Sequence, residues 1–393
     1  MSALECRLLY ASTSPHLQQL YTGFLMLHRS GFLRLSQELR RTPVRYEDDA
    51  PHLRGAEHAH LDAVIGGRLR LHFDTHDAME IAAPELDRCD LYFKRSYSPR
   101  LVESLTPERR ERMRPLGLNY FVLPDLLDPY AIRRSVRVNG LSRRTLSQIK
   151  QALDCSNRLD FRPRLSQTEA LPDPDTDPCV LFLVAAYDPH DDPSRTPAKV
   201  EERAHVNEMR ARCLTALTRE LGPRFRGGFT PGRFAREHYA GLLAPRHGTS
   251  QEAYLRTVRS FPICVATTGL HGSTGWKFAE YVAFSKAIVS EPLQYQVPGP
   301  FGPDRNFLKF TTADQCVSAA VRLIEDAGLR YTLMRNNAAY YRSHLRPDAL
   351  VRNAIVTALE QDAPGVTRLA DRHRRDSDQR AGERLHGLHG PRS

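Results

Sequence analysis

The sequence has no long apolar run, and its mean hydropathy of −0.48 predicts no membrane-spanning segment. Its first residues, MSALECRLLYAS, lack the layout of a signal peptide and have the pattern of a strand. The seven cysteines are scattered without CxxC spacing, so neither a zinc site nor a disulfide framework is expected. These absences predict a cytoplasmic protein with reduced thiols and without stable membrane insertion.

Lysine is scarce, although the chain is basic. Of the 56 basic residues six are lysine, and the net charge is +10. A basic balance can indicate a nucleic-acid partner. Because arginine dominates throughout the chain, as a compositional bias would produce, we expect no nucleic-acid partner.

The chain of 393 residues is long enough for two domains with separate cores. A strand pattern at residues 6–12 precedes a helical pattern at Leu17–Leu27, and Leu61–Phe73 resembles a hairpin that turns at Gly66-Gly67. Short strands are predicted at Asp90–Phe93 and Tyr120–Leu123. This alternation of strands and helices predicts an α/β fold.

A stretch rich in proline and aspartate, SQTEALPDPDTDP, indicates the domain boundary. We predict a first domain at residues 1–160, a linker at 161–177 and a second domain at 178–345. A helix at 346–361 is expected to cross back to the first domain, and the basic tail 362–393 to be disordered.

The segment Thr267–Glu280, TTGLHGSTGWKFAE, is the most informative of the sequence. An apolar strand pattern leads into a glycine-rich loop and then into a helix, and a second strand is predicted at Ala287–Ser290. A helix that begins after such a loop presents free backbone N–H groups and a positive dipole end to an anion. Lys277 adds a positive charge, and Glu280 can accept hydrogen bonds from a diol such as ribose. The segment therefore predicts a cradle for a nucleoside diphosphate.

The motifs GLHGSTGWK and EYVAFSKAIVSE, with the turn at Pro298-Gly299 and NFLKF at Asn306–Phe310, resemble the donor-binding half of GT-B glycosyltransferases. The resemblance extends from about Pro178 to Tyr341. It implies two Rossmann-like α/β domains that face each other across a cleft. Many members of that superfamily carry two glutamates eight residues apart, whereas the earlier position here is Gly272.

The resemblance also implies roles for individual residues. Glu280 would bind the ribose of the nucleotide sugar, and Arg226 would contact the diphosphate. The remaining donor-binding residues lie in the glycine-rich loop and the first turn of its helix: Gly272, Ser273, Thr274, Gly275 and Lys277.

The first domain is expected to hold the acceptor and a catalytic base. Asp77 follows a predicted strand, and His16 lies where some inverting GT-B enzymes have their base. Asp77 can equally belong to a turn that caps the next helix. Lys94 and Arg95 end another strand, where they would contact acceptor or phosphate, or lie at the fringe of the sheet.

The predicted function is transfer of a sugar from a nucleoside-diphosphate sugar to a small-molecule, glycan or peptide acceptor. We expect no cofactor and no metal, because the acidic stretches Asp173–Asp177 and Asp188–Asp192 lie in proline-rich loops. Two alternatives stay open. One is another GT-B-like enzyme, such as a nucleotide-sugar epimerase or a phosphorylase. The other is a nucleotide-sugar-binding protein without turnover, which the absence of a glutamate at position 272 favours.

Overall fold

The computed structural model describes residues 3–46, 56–154, 162–245 and 251–362. The predicted disordered tail beyond Asp362 lies outside these residues. The described chain forms two α/β domains, each built on one sheet, so the predicted fold class is confirmed. No described helix is both long and apolar enough to cross a membrane.

The first domain contains a six-stranded sheet in the order β2-β1-β3-β4-β5-β6. Its strands are β1 Leu4–Tyr10, β2 Leu33–Leu39, β3 His60–Ile65, β4 Leu69–Asp74, β5 Leu91–Lys94 and β6 Met113–Pro115. Strand β3 is antiparallel to both β1 and β4, which confirms the predicted hairpin, and the other pairs are parallel. The predicted strand Tyr120–Leu123 is wrong, because Leu123 makes only an isolated bridge, to Arg164. Tyr120 and Val122 pack instead among residues of the second domain.

The helices of the first domain lie between its strands and after β6. They are α1 Gln18–Arg29, α2 Ala83–Arg88, α3 Pro99–Glu103, α4 Pro107–Arg112, α5 Pro129–Asn139 and α6 Arg143–Leu153, followed by α7 Leu165–Thr168. A short 3-10 turn, Pro15–Leu17, links β1 to α1. Helices α5 and α6 pack against each other, and the sequence patterns did not predict this pair.

The second domain contains a parallel five-stranded sheet in the order β11-β10-β9-β7-β8. Its strands are β7 Val180–Val184, β8 Phe225–Phe229, β9 Ile263–Ala266, β10 Ala287–Ser290 and β11 Phe307–Lys309. Buried strands of this kind are continuous apolar runs because helices cover both faces of the sheet. Those helices are α8 Pro197–Leu221, α9 Arg233–His238, α10 Gln251–Ser260, α11 Trp276–Ala283, α12 Ala313–Glu325 and α13 Ala327–Tyr340.

The last helix, α14 (Pro347–Asp362), packs on the first domain. Its buried residues Leu350, Val351 and Ile355 belong to the same hydrophobic core as α1 and β1. Gly23 of α1 permits this packing, since a Cβ there would lie 2.2 Å from the carbonyl oxygen of Pro347. Within the described residues the chain therefore returns from the second domain to the first, where α14 packs on α1.

Candidate functional site

The candidate site lies where loops at the carboxyl ends of the two sheets meet. Several contacts between described residues join the domains there. The Arg95 guanidinium donates to the Thr274 carbonyl at 2.8 Å, and the Gln296 amide donates to the Tyr97 carbonyl at 2.9 Å. The His16 ring lies edge-on to Trp276, with 5.1 Å between ring centroids. In parallel α/β sheets this edge is where ligands bind.

The glycine-rich loop after β9 has a compact backbone shape. His271 and Gly272 both have positive φ, 61° and 62°. The Gly269 amide donates to the Ser273 carbonyl at 2.8 Å, and the Ser273 amide donates to Leu270 at 3.1 Å. A side chain at position 272 would be strained by this φ, and its Cβ would lie 3.0 Å from Gln294. Glycine at position 272 thus fits the shape of this loop.

Helix α11 begins at Trp276 with Gly275 as its N-cap residue, and no described side chain caps it. The first N–H groups of a helix have no partner within the helix, so a ligand oxygen can accept from them. The positive end of the helix dipole lies at the same place. Since Trp276 also contacts His16, this helix end faces the first domain.

Arg95 connects the first-domain residues with the glycine-rich loop at residues 267–275, which the sequence predicts to bind the donor and which is called the donor loop below. It follows β5, is 6% exposed, and forms an ion pair with Asp77, which follows β4. The same guanidinium donates to Thr274 of the loop. Of the predicted first-domain residues, His16, Asp77 and Arg95 are therefore brought together opposite α11.

His16 is placed by the Pro15–Leu17 turn after β1. The Ser14 hydroxyl accepts from the His16 amide at 3.3 Å, and Asn119 donates to the His16 carbonyl at 3.1 Å, so the backbone is fixed at both ends. Its Nδ1 atom is buried without a hydrogen-bond partner among the described residues. Burial lowers the pKa of His16 and Arg95 lowers it further, while Asp77 raises it. With its pKa below the ordinary value of 6.5, the His16 ring is mainly neutral at pH 7.

Lys277 and Glu280 lie in the first turns of α11, one turn apart, and share Tyr254 of α10 as a neighbour. The Lys277 ammonium donates to the Leu183 carbonyl at 2.5 Å and lies 5.3 Å from the centre of the Tyr254 ring. Burial lowers its pKa to about 8, against the opposing effect of Glu280. Tyr254 donates to Glu280 at 2.7 Å, and burial raises the pKa of that carboxyl group. Lys277 and Glu280 thus form a group of interacting charged side chains, joined through Tyr254, behind the amino end of α11.

Three residues of this site were missed by sequence reasoning. Arg210 of α8 is 5% exposed and donates to the Ala185 carbonyl at 2.7 Å and the Thr268 carbonyl at 3.1 Å, at the carboxyl ends of β7 and β9. No local motif marks it, because it is one of four arginines in the 25-residue helix α8. Tyr254 is equally unmarked in α10. Trp276, in contrast, is the single tryptophan of the chain and lies within the quoted motif, so its position was a usable signal.

Lys94 is not at the ligand-facing surface, which corrects its predicted contact with acceptor or phosphate. It is 1% exposed, and its ammonium forms a 2.8 Å ion pair with Asp74. Tyr92 also donates to Asp74, at 2.6 Å. The pairing of β4 with β5 places Asp74 opposite Lys94, so the lysine neutralises a carboxylate within the sheet.

Arg226 is the second residue of β8. It lies opposite Leu181 in the β7–β8 register, three residues before the carboxyl end of β7. The described contacts do not bring it to the glycine-rich loop. Its contact with the diphosphate stays a prediction.

One group of described residues has the composition of a metal site: Asp62, His72 and Glu85, all buried in the first domain. Arg40, however, donates to Asp62 at 3.1 Å and to Glu85 at 2.5 Å, and Arg70 donates to Asp62 at 2.8 Å. These guanidinium groups already match the two carboxylates. The group therefore fits a structural ion-pair cluster better than a metal centre.

Comparisons with known proteins give distant structural similarity. No protein-family model and no curated protein matches the chain. A putative UDP-N-acetylglucosamine 2-epimerase of Listeria monocytogenes is similar at 8% identity and TM-score 0.40, over 89% of this chain and 94% of that one. Anabaena HepE, solved with UDP and glucose, is similar at 11% identity and TM-score 0.31, over 90% and 94%. The C-terminal domain of the group 1 glycosyl transferase LpcC of Francisella tularensis gives 17% and 0.28, over 43% and 85%. These values are too low to carry an argument.

Proposed function

We propose that this protein is a GT-B glycosyltransferase that moves a sugar from a nucleoside-diphosphate sugar to an acceptor hydroxyl without a metal ion. One observation carries the proposal: the uncapped amino end of α11 faces His16, Asp77 and Arg95 of the other domain. An anion-binding helix end and a neutral base on opposite walls are what a transfer between a diphosphate donor and a hydroxyl acceptor requires.

The second domain holds the donor. The diphosphate accepts hydrogen bonds from the first N–H groups of α11 and from the Ser273 and Thr274 region of the loop, which also supplies hydroxyl donors. Lys277 and Arg210 add positive charge close to that helix end. Glu280, one turn into the helix, accepts from the ribose hydroxyls. These fixed groups stabilise the negative charge that grows on the leaving diphosphate.

The first domain supplies the base. In an inverting transfer, His16 takes the proton of the acceptor hydroxyl as the oxygen attacks the anomeric carbon and the diphosphate leaves. Asp77 raises the pKa of His16 and so favours the imidazolium that forms. Arg95 orients Asp77 and at the same time holds the donor loop through Thr274.

Donor binding is tested first, by thermal shift with UDP, GDP, dTDP and their hexose conjugates. A donor present at 100 times its Kd should stabilise the protein by about 2.7 kcal/mol. The reaction is then followed as release of nucleoside diphosphate across an acceptor panel. Release that depends on acceptor supports the transferase. Release or isomerisation without acceptor supports an epimerase instead, and binding without any turnover supports a silent binding protein.

A further inference from the structure

The pair of helices α5 and α6 presents apolar side chains to solvent. Nine large apolar residues of the described chain are exposed, and four of them lie on these helices or in the turn between them: Val136, Leu141, Leu146 and Leu153. Leu141, in the turn, is 95% exposed, and Leu146 and Leu153 of α6 are 68% and 57% exposed. Exposed apolar groups that are concentrated in one place indicate a surface that docks on a partner.

The same segment carries positive charge without negative charge. Between Asp128 and Asp154 the sequence has six basic residues and no acidic one. Arg134 is buried and pairs with Asp128 at 3.1 Å, so its charge is matched. Four arginines of the segment are exposed and form no ion pair with a described residue: Arg133, Arg137, Arg143 and Arg144. Their charges can therefore be matched by an anionic partner.

Helix α6 combines both features on one face. Four exposed residues follow one another at spacings of three and four positions and so form one stripe along the helix: Arg143, Leu146, Lys150 and Leu153. Thr145 is buried, and its hydroxyl contacts the Ser135 carbonyl of α5 at 3.4 Å and the Gly140 carbonyl at 2.6 Å. These contacts hold α6 against α5, so the stripe faces solvent because of the packing of the two helices.

We propose that this part of the first domain docks reversibly on the face of an anionic lipid bilayer. The docking surface, called the α5–α6 surface below, consists of the four exposed apolar residues and the four exposed arginines. In the docked state the apolar side chains enter the boundary between headgroups and acyl chains, while the arginines contact lipid phosphates. The proposal goes beyond the proposed function and does not rest on it, because docking needs neither a nucleotide nor an acceptor.

The charge and the apolar groups together select a bilayer among the candidate partners. In a two-fold dimer through this surface the exposed arginines of the two copies would meet, and each copy has a net charge of +10. A nucleic acid would match the arginines but would leave the leucines without a role, because bases stack on aromatic side chains. The one aromatic residue of the two helices, Tyr130, is partly buried and donates to the Leu35 carbonyl at 3.0 Å. An anionic bilayer accommodates both the charge and the leucines.

Two double variants separate the contributions of charge and of apolar contact. Arg143→Gln with Arg144→Gln removes two positive charges, and its matched control is Arg100→Gln with Arg236→Gln, two exposed arginines of other helices. Leu141→Ser with Leu146→Ser removes two exposed leucines. Leu171→Ser, at a position that is 76% exposed, controls for the loss of an apolar side chain elsewhere. Because all these side chains are exposed, the variants should stay folded, and thermal unfolding checks this.

The test measures co-sedimentation of the full chain with vesicles. Neutral vesicles of phosphatidylcholine are compared with vesicles of phosphatidylcholine and phosphatidylglycerol in equal amounts. We expect the anionic vesicles to bind at least about tenfold more tightly than the neutral ones. An arginine near such a surface contributes about fivefold, so the arginine double variant should weaken binding about 25-fold, and its control less than about twofold. The leucine double variant should weaken binding about tenfold, and Leu171→Ser less than about twofold.

Equal binding to neutral and anionic vesicles would overturn the proposal, as would equal weakening by the arginine double variant and its control. Wild-type binding by the leucine double variant would also overturn it, because the apolar groups would then have no part in docking. An oligonucleotide that binds more tightly than anionic vesicles, in a manner that depends on Arg143 and Arg144, would assign the surface to nucleic acid instead. Self-association that the leucine double variant abolishes, seen by analytical ultracentrifugation without vesicles, would assign it to a second copy of the chain.

UDP affinity is measured on the same samples, so that the docking surface and the proposed function are tested separately. Vesicle binding that depends on the α5–α6 surface, without any nucleotide binding, would contradict the proposed transferase and support the docking surface. Nucleotide binding without vesicle binding would overturn the docking surface and leave the transferase standing.

Discussion

The guanidinium of Arg95 donates a 2.8 Å hydrogen bond to the carbonyl of Thr274, across the interface between the two domains. Arg95 also pairs with Asp77, so one side chain joins a candidate catalytic carboxylate to the donor loop. If donor binding moves the loop, we therefore expect Arg95 and its partner Asp77 to move with it. Arg95 therefore couples the predicted acceptor part of the site to the predicted donor part.

We predict that Arg95→Met slows turnover while leaving nucleotide affinity nearly unchanged. Loss of hydrogen bonds to a charged group costs about 1.5–3 kcal/mol, which corresponds to roughly 10- to 150-fold in kcat/KM. UDP affinity, measured by calorimetry, should change less than threefold, since the donor binds mainly to the second domain. Arg100→Met, an exposed change on α3, is the matched control. An equal loss of UDP affinity and of kcat/KM would contradict the assigned role.

Glu280→Ala should weaken nucleotide-sugar binding by about 1.5–3 kcal/mol, because the ribose hydroxyls lose a charged acceptor. The same change also removes the partner of Tyr254. Tyr254→Phe serves as control, since it breaks that hydrogen bond and keeps the carboxylate. If Tyr254→Phe reproduces the whole loss in calorimetry, Glu280 acts through packing and does not bind the ribose.

Donor affinity should fall as pH rises through the Lys277 pKa of about 8. If only the ammonium form binds, affinity for UDP drops by about tenfold between pH 7 and 9. Lys277→Met should bind weakly at both pH values, and its affinity should be nearly independent of pH. The effect of the lowered Lys277 pKa on folding stability has the opposite pH dependence. Because the folded-state pKa lies below the unfolded value of 10.5, this group makes the free energy of unfolding rise with pH between about 8 and 10.5. UDP affinity that stays constant in the wild type from pH 7 to 9 would exclude Lys277 as a diphosphate contact.

The base can be assigned from the pH profile of kcat/KM. Burial holds the pKa of His16 below 6.5, so activity should persist from neutral pH to below 6.5 and then fall. His16→Gln should lower the rate by about 10²- to 10⁴-fold and remove this acidic limb. Asp77→Asn should shift the limb to lower pH, because Asp77 raises the His16 pKa. Retained activity in His16→Gln together with its loss in Asp77→Asn would assign the base to Asp77.

The donor loop was predictable because its signal is local. Glycines, an apolar strand and an amphipathic helix follow one another within Phe261–Ser290, and the predicted bounds of β10 agree with the structure. The strand β2 was missed because its pattern, LRLSQEL, turns polar towards one end and has a half-exposed face. Local periodicity cannot show such an edge strand, whose partner β1 lies beyond a whole helix.

The misplacement of Lys94 has a different cause. A lysine at a strand end resembles a ligand contact until its cross-strand neighbour is known, and only the β4–β5 register reveals Asp74. Arg210 illustrates the converse. It reaches the site from α8 because it satisfies carbonyls at two strand ends that are far apart in sequence. Contacts that depend on strand register and tertiary packing cannot be recognised from the spacing of residues in the sequence.

Activity should survive EDTA. The helix end provides about half an elementary charge, and Lys277 and Arg210 lie close enough to add theirs, so the two charges of a departing diphosphate are largely matched without a divalent ion. The metal-like group Asp62, His72 and Glu85 is already bonded to Arg40 and Arg70, which leaves its carboxylates little affinity for a cation.

Nucleoside-diphosphate release is measured with donor and acceptor in the presence and absence of chelator. The metal-free mechanism would be contradicted if chelator lowered the rate of release more than about tenfold, roughly 1.4 kcal/mol of barrier, and Mg²⁺ or Mn²⁺ restored it. Asp191→Asn and Asp192→Asn would then show whether the acidic loop after β7 holds the ion. If both variants kept the metal response, the next candidate metal ligands would be Glu202 and Glu291, which accept hydrogen bonds from the backbone of the donor loop.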